Sequence, residues 1–104
     1  MTQAENPVEP DGQLERLCDA IVGISSRDAA AELLDDLCTP REIEDLAQRL
    51  EVARMLDAGV SYARIQAATG ASATTVARVA RCLKGGSGGY RRVLAGLPPY
   101  RDAR

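Results

Sequence analysis

The sequence predicts an all-α chain of about six helices built around a helix-turn-helix. Three observations carry this expectation. The 104 residues include no Phe and no Trp, and only Tyr62, Tyr90 and Tyr100 bear rings, so Leu, Val, Ile and Ala must fill the core. Ala and Leu favour helices, while β-branched or aromatic runs that would favour strands are scarce. Apolar residues also recur three and four apart, with helix start and stop residues between the runs. A chain of this length is expected to form one domain with one core.

Residues 1–12 are polar, contain Pro7 and Pro10 and have no periodicity, so they are expected to form a disordered arm. The domain is expected to span residues 13–97. From Gln13, the residues Leu14, Leu17, Cys18 and Ile21 share one helix face, and Ser25-Ser26 offers a stop and a new cap. Ala30, Leu33, Leu34, Leu37 and Cys38 line one side of a second helix. Thr39-Pro40-Arg41-Glu42 is the clearest helix start: Thr39 at the cap, Pro40 at the first helical position, and Glu42 placed to close a capping box.

The third helix should run to about Ala58, with Gly59 ending it. Its first half carries a narrow stripe of Ile43, Leu46, Ala47 and Leu50. From Leu50 onward, Val52, Ala53, Met55 and Leu56 wrap around the cylinder. A helix apolar on more than one face must bury more than one face. A few short helices offer little cover, so a partner chain is expected and with it a homodimer.

Residues 61–84 carry the helix-turn-helix. A short run holding Ile65 is followed by Gly70, then Ala71-Ser72, then a run with Val76 and Val79 on its inner face. Gly70 suits a turn that needs positive φ, and Ser72 suits the cap of the second helix. Ala73, Thr74, Ala77, Arg78 and Arg81 then fall on the outward face, where a DNA groove can be entered. An ordinary pair of packed helices is the plainer alternative.

Residues 85–89, Gly-Gly-Ser-Gly-Gly, have the composition of a hinge or linker. A phosphate-binding loop would need a preceding strand and a Gly-Lys-Ser/Thr end, and neither is present. A last short helix over 90–97 should be closed by Pro98-Pro99, leaving 98–104 as a tail.

The overall charge of −2 conceals a strong asymmetry. Five arginines face fourteen carboxylates over residues 1–60, a net −9, whereas residues 61–104 carry eight cations against Asp102 alone, a net +7. The positive charge coincides with the helix-turn-helix, and a phosphate backbone responds to the local field rather than to the pI. Cys18, Cys38 and Cys82 lie far apart in sequence, with no Cys-x-x-Cys pair and no His to complete a zinc set; the cysteines are expected to be small buried residues. Unpaired thiols, the absence of an apolar run long enough to span a bilayer and the absence of a leader point to a reducing cytoplasm. Arg outnumbers Lys twelve to one, the usage of a high-GC bacterial genome.

The run DLCTPREIEDLAQRLEVARMLDAGVSYARIQAATGASATTVARVARCLKGGSGGY resembles the YerC/YecD family, a branch of the tryptophan-repressor-like proteins, and covers most of the chain beyond residue 35. The segments LAQRLEVARML (46–56), TGAS (69–72) and RCL (81–83) carry the resemblance. It implies an intertwined homodimer of six-helix chains with two helix-turn-helix units facing one side. In the tryptophan-responsive relative the ligand lies between two arginines, with a threonine assisting one of them at the carboxylate; these positions match Arg49, Arg78 and Thr39. Val79 stands where that relative has Gly, and Cys82 where it has Ser. A valine side chain would fill the indole slot, so tryptophan is not expected to bind. Arg49 has a plainer alternative in pairing with Asp45 on its own helix.

These features lead to the expectation of a cytoplasmic, homodimeric transcriptional regulator, a repressor, that binds double-stranded DNA without a metal or cofactor and does not associate with membranes. Arg64, Arg81 and Lys84, with Arg91 and Arg92 as further candidates, would neutralise phosphates. Ser72, at the start of the reading helix, is expected to belong to the DNA-binding set as well, and Ala73, Thr74, Thr75 and Arg78 would reach base edges. The alternatives are a helical protein-interaction module or a ligand-gated repressor of the tryptophan-binding type. An enzyme is not expected, since no nucleophile or acid–base set is recognisable.

Overall fold

The computed structural model describes residues 10–101, with side chains from residue 12. It contains helices α1 (Pro10–Val22), α2 (Arg27–Leu37), α3 (Pro40–Asp57), α4 (Tyr62–Thr69), α5 (Ala73–Gly85) and α6 (Gly89–Ala95), with no strand among the described residues. The expected disordered arm lies outside the described residues up to position 9. Its last three positions, 10–12, belong to α1, which begins at Pro10 rather than Gln13. A proline fits a first helical position because its fixed φ is already helical and its missing N–H has no partner to lose there.

The expected single domain, 13–97, divides into two compact units, Met1–Thr39 and Pro40–Arg104. In the first unit Ser26 caps α2 by accepting from the Ala29 N–H at 3.1 Å, and Cys38 closes it with an N–H donated to the Leu34 carbonyl at 2.9 Å. No described residue of this unit is buried. Leu14, Leu17 and Ile21 of α1, and Leu34 and Leu37 of α2, present their apolar stripes to solvent.

The second unit holds the core: Val52, Ala53 and Met55 of α3, Ile65 of α4, Ala71 of the turn, and Val76, Val79 and Ala80 of α5. Leu56, Val60, Tyr90, Leu94 and Tyr100 pack around it. α3 touches α4, α5 and α6, so the wrapped apolar segment from Val52 to Leu56 is covered by the chain's own helices. This corrects the sequence expectation that the segment requires a partner chain. Folding back three short helices around one end of α3 supplies the missing surface. What stays uncovered is Leu46 on the narrow half of α3 and Val93 on α6, together with the stripes of α1 and α2.

α3 ends in a Schellman arrangement at Gly59, with Gly59 N–H donating to Leu56 and Val60 N–H to Met55, which turns Val60 onto the core. Residues 85–89 are not a loose linker. Gly85 completes α5, Gly86 N–H donates to the Cys82 carbonyl at 2.9 Å, and Gly88 precedes α6. A Cβ on Gly86 would stand 2.4 Å from the Cys82 carbonyl oxygen, so close approach to the helix end demands glycine there. α6 stops at Ala95, two residues before the expected 97, where Gly96 and Leu97 N–H groups tighten onto Val93 and Leu94.

The segment after α6 folds back on α3 through Arg54. Its guanidinium meets the Glu51 carboxylate at 2.6 Å, donates to the Pro98 carbonyl at 3.0 Å and lies 5.8 Å from the Tyr100 ring centre. The thiols also differ from expectation. Cys18 and Cys82 are exposed and Cys38 is half-buried, all three free, because α1 and α2 have no buried face and Cys82 borders a concavity.

Candidate nucleic-acid interface

Two helices and a three-residue turn build the candidate reading surface, and each boundary has a local cause. Ser61, in an extended conformation, starts α4 by accepting from the Arg64 N–H at 3.3 Å. α4 ends at Gly70, which adopts φ 78° and donates its N–H to the Gln66 carbonyl at 2.9 Å. Only glycine takes that left-handed conformation without steric cost. Ser72 then caps α5 by accepting from the Thr75 N–H at 3.1 Å, while its own hydroxyl donates to Thr75 Oγ1 at 3.1 Å.

α5 turns Val76, Val79 and Ala80 inward, and Thr74, Arg78 and Arg81 lie on the opposite, exposed side at helical spacing. Ala73 and Lys84 are exposed as well, and Thr75 and Ala77 are half-buried at the margin of that face. Arg64 is exposed on α4 and is not without a partner. The fold therefore gathers Thr74, Arg78, Arg81 and Lys84 along one helix. Ser72 is spent on its cap: with its proton on Thr75, it cannot donate to a phosphate without releasing that bond, whereas the Thr75 hydroxyl proton remains available.

Sequence reasoning missed what fixes the turn. Thr69 Oγ1 donates to the Ile65 carbonyl at 2.8 Å and accepts from the Ala71 N–H at 3.1 Å, while Gln48 Nε2 of α3 donates to the Thr69 carbonyl at 3.0 Å. One signal was present. Gln48 precedes Val52 by four residues and Met55 by seven, which puts it on the buried face of α3.

The positions matching the relative's ligand pocket differ in their surroundings. Val79 is 1 % exposed and belongs to the core, Arg49 is half-buried on α3, and Arg78 is exposed on α5. Thr39, just before α3, has a polar partner. Asp45 pairs with Arg41 at 3.3 Å and not with Arg49, which makes no ion pair among the described residues. A concavity of about 440 Å³ is lined by Leu50, Cys82, Tyr90, Val93 and residues 86–89, so Cys82 alone of the five positions borders it. Among the described residues no group of three or more His, Cys, Asp or Glu could hold a metal ion, and no helix is long and apolar enough to cross a membrane.

The model of the family described as Trp repressor protein matches residues 12–97. The chain belongs to the Trp repressor family. It is 45 % identical over 82 residues to the uncharacterised protein YerC of Bacillus subtilis strain 168, a match covering 79 % of each chain. Among solved structures it resembles a candidate Trp repressor from Staphylococcus aureus, with TM-score 0.77 and 39 % identity over 91 % of this chain and 93 % of that one. A TrpR-like protein from Eubacterium eligens matches with TM-score 0.77 and 41 % identity over 84 % and 93 % of the two chains. This agrees with the resemblance to the YerC/YecD branch and with the all-α, six-helix fold. The Trp repressor match takes in both compact units and all of α4 and α5, so the candidate reading surface lies inside the family's own domain.

Proposed function

We propose that this chain is a sequence-specific DNA-binding transcriptional regulator, a repressor, that acts as a homodimer through α4 and α5. The observation that carries the reading is the exposed row of Thr74, Arg78 and Arg81 on a helix whose start is fixed by the Gly70–Ser72 turn. Arg64, Arg81 and Lys84 would neutralise phosphates and set register, with Arg91 and Arg92 on the exposed side of α6 adding to the field. Ala73, Thr74, Thr75 and Arg78 would read bases, the threonine and alanine methyls against thymine and the guanidinium against guanine. So short an alphabet leaves part of the specificity to bridging water and DNA shape.

The homodimer has a different physical basis from the one the sequence offered. In the first compact unit Val22 is 82 % exposed, Leu14 59 %, Ile21 56 % and Leu37 55 %, apolar side chains that a partner chain would cover. Light scattering at micromolar concentration is expected to return about twice the mass of the 11.1 kDa chain. A salt-titrated mobility shift on genomic fragments is expected to leave a defined footprint and to weaken steeply as salt rises. A monomer mass would remove the two-site geometry. Binding to acidic proteins with no DNA footprint would favour the protein-interaction reading.

A ligand-gated reading is kept in view by one observation, the half-buried Arg49 without an ion pair among the described residues. Against it stands Val79, which fills the place the resemblance assigns to the indole ring and is packed into the core. Calorimetry is therefore expected to show no binding of free L-tryptophan at micromolar concentrations. Micromolar affinity abolished by both Arg49→Ala and Arg78→Ala would bring the ligand-gated repressor to first place.

A further inference from the structure

We propose that Gln48 is a positioning residue for DNA reading: its side-chain amide ties the turn between α4 and α5 to α3 and thereby sets the aim of the reading helix. The inference rests on the DNA-binding reading above and adds to it a residue that lies on neither helix of the motif.

The packing of α3 against α4 and α5 is otherwise made by Val52, Met55, Ile65, Val76 and Val79, all aliphatic or thioether side chains. Such contacts are strong but non-directional, and they resist separation of helices better than small rotations. A hydrogen bond weakens steeply with angle and so resists rotation. Gln48 Nε2 reaches the Thr69 carbonyl at 3.0 Å, one of the last carbonyls of α4, which have no partner inside their own helix. The same Thr69 grips the turn on both sides through its hydroxyl, to Ile65 behind and Ala71 ahead. Gln48 Nε2 also lies within 3.9 Å of where a Cβ on Gly70 would stand, so it sits directly under the left-handed residue of the turn.

The chain from Thr69 to the start of α5 is three residues long, and Ala71 within it is buried. Movement of the turn is therefore passed to α5 with little slack. A tilt of about 10° at Ala73 would displace the backbone of Arg78, five residues on, by about 1.3 Å given the helix rise of about 1.5 Å per residue. That shift is enough to break a bidentate contact to a base edge, which depends on angle and distance together. It is too small to alter phosphate attraction, which extends over about 8–10 Å at ordinary salt. Gln48 should therefore control discrimination between DNA sequences and leave general affinity alone.

The test compares Gln48→Met, close in shape but without a donor, with Gln48→Lys, whose ammonium can donate to the same carbonyl. Two quantities are read on the full chain: residual dipolar couplings of α3 and α5 amides, and the ratio of affinities for the genomic site footprinted in the mobility shift and a scrambled duplex. Gln48→Met is expected to change the α5 couplings relative to α3 and to lower the ratio by up to about tenfold with scrambled binding unchanged, the scale of one hydrogen bond. Gln48→Lys is expected to keep wild-type couplings and a ratio near wild type. Unchanged couplings in Gln48→Met, or equal change in Gln48→Met and Gln48→Lys, would overturn the proposal. If Gln48→Met loses its helical circular dichroism, Gln48→Glu, of equal length and without an N–H, takes its place under the same criteria. A wild-type chain that does not discriminate between duplexes would sink the DNA-binding reading, and the couplings would still decide the role of Gln48.

Discussion

Ile65→Ala is expected to destabilise the second compact unit by about 2–5 kcal/mol, the usual range for cutting a large aliphatic side chain to alanine in a closed core. Ile65 is 0 % exposed and is the one buried residue of α4. That helix has only eight residues, well short of the roughly 12–15 that an isolated helix needs to persist in water. Its stability must come from packing, and its packing against α3 and α5 runs through Ile65. Against a typical total of about 5–15 kcal/mol the loss is large. Ile65→Val should cost only about 0.5–1.5 kcal/mol, because most of the contact is kept. Urea unfolding followed by circular dichroism is the measurement, at one fixed chain concentration, since an oligomer's stability depends on it. A cost below about 1 kcal/mol for Ile65→Ala, the range of ordinary surface changes, would mean that the site collapses freely and that α4 is not held as the structure has it.

Arg78 and Arg81 are expected to respond differently to removal, although they are less than one turn apart. Arg78 follows Thr74 by four residues and shares its exposed face, close enough to the helix start to reach a guanine edge. Arg78→Ala should cost about 1–3 kcal/mol on the preferred site and relax preference at one position in each half-site. Arg81 lies nearly another turn on, towards Lys84, where the helix leaves the groove. Arg81→Ala should weaken all sequences alike and reduce the salt slope by about one unit for each site. Affinities for cognate and scrambled duplexes at several salt concentrations separate the two roles. If both variants lose cognate and scrambled binding in equal proportion, Arg78 does not read bases. If neither affects DNA, the protein-interaction reading replaces the regulator.

Placing these two arginines on one outward face required only the sequence, as did most of the helix boundaries. Ser26, Ser61 and Ser72 each act on an amide three residues ahead, and Gly70 acts on its own φ. Interactions of that range depend on the identity of a few neighbouring residues, so their outcome is written in the local order. The inward direction of Val76 and Val79 follows from the same short-range rule, the periodicity of the helix. By itself, then, the sequence determined that the chain is helical, where the motif turns and which of its side chains face outward.

The tertiary structure alone decided which apolar stripes are covered and which polar groups meet. Both Leu46 and Val52 belong to apolar patterns on α3, yet one is 43 % exposed and the other 0 %, because α4, α5 and α6 return to only one end of the helix. The tie between Gln48 and Thr69 spans 21 residues and that between Arg54 and Pro98 spans 44. No local rule pairs such partners, since their distance is set by how whole helices cross, and that crossing is chosen by the sum of many weak packing contacts rather than by any one residue.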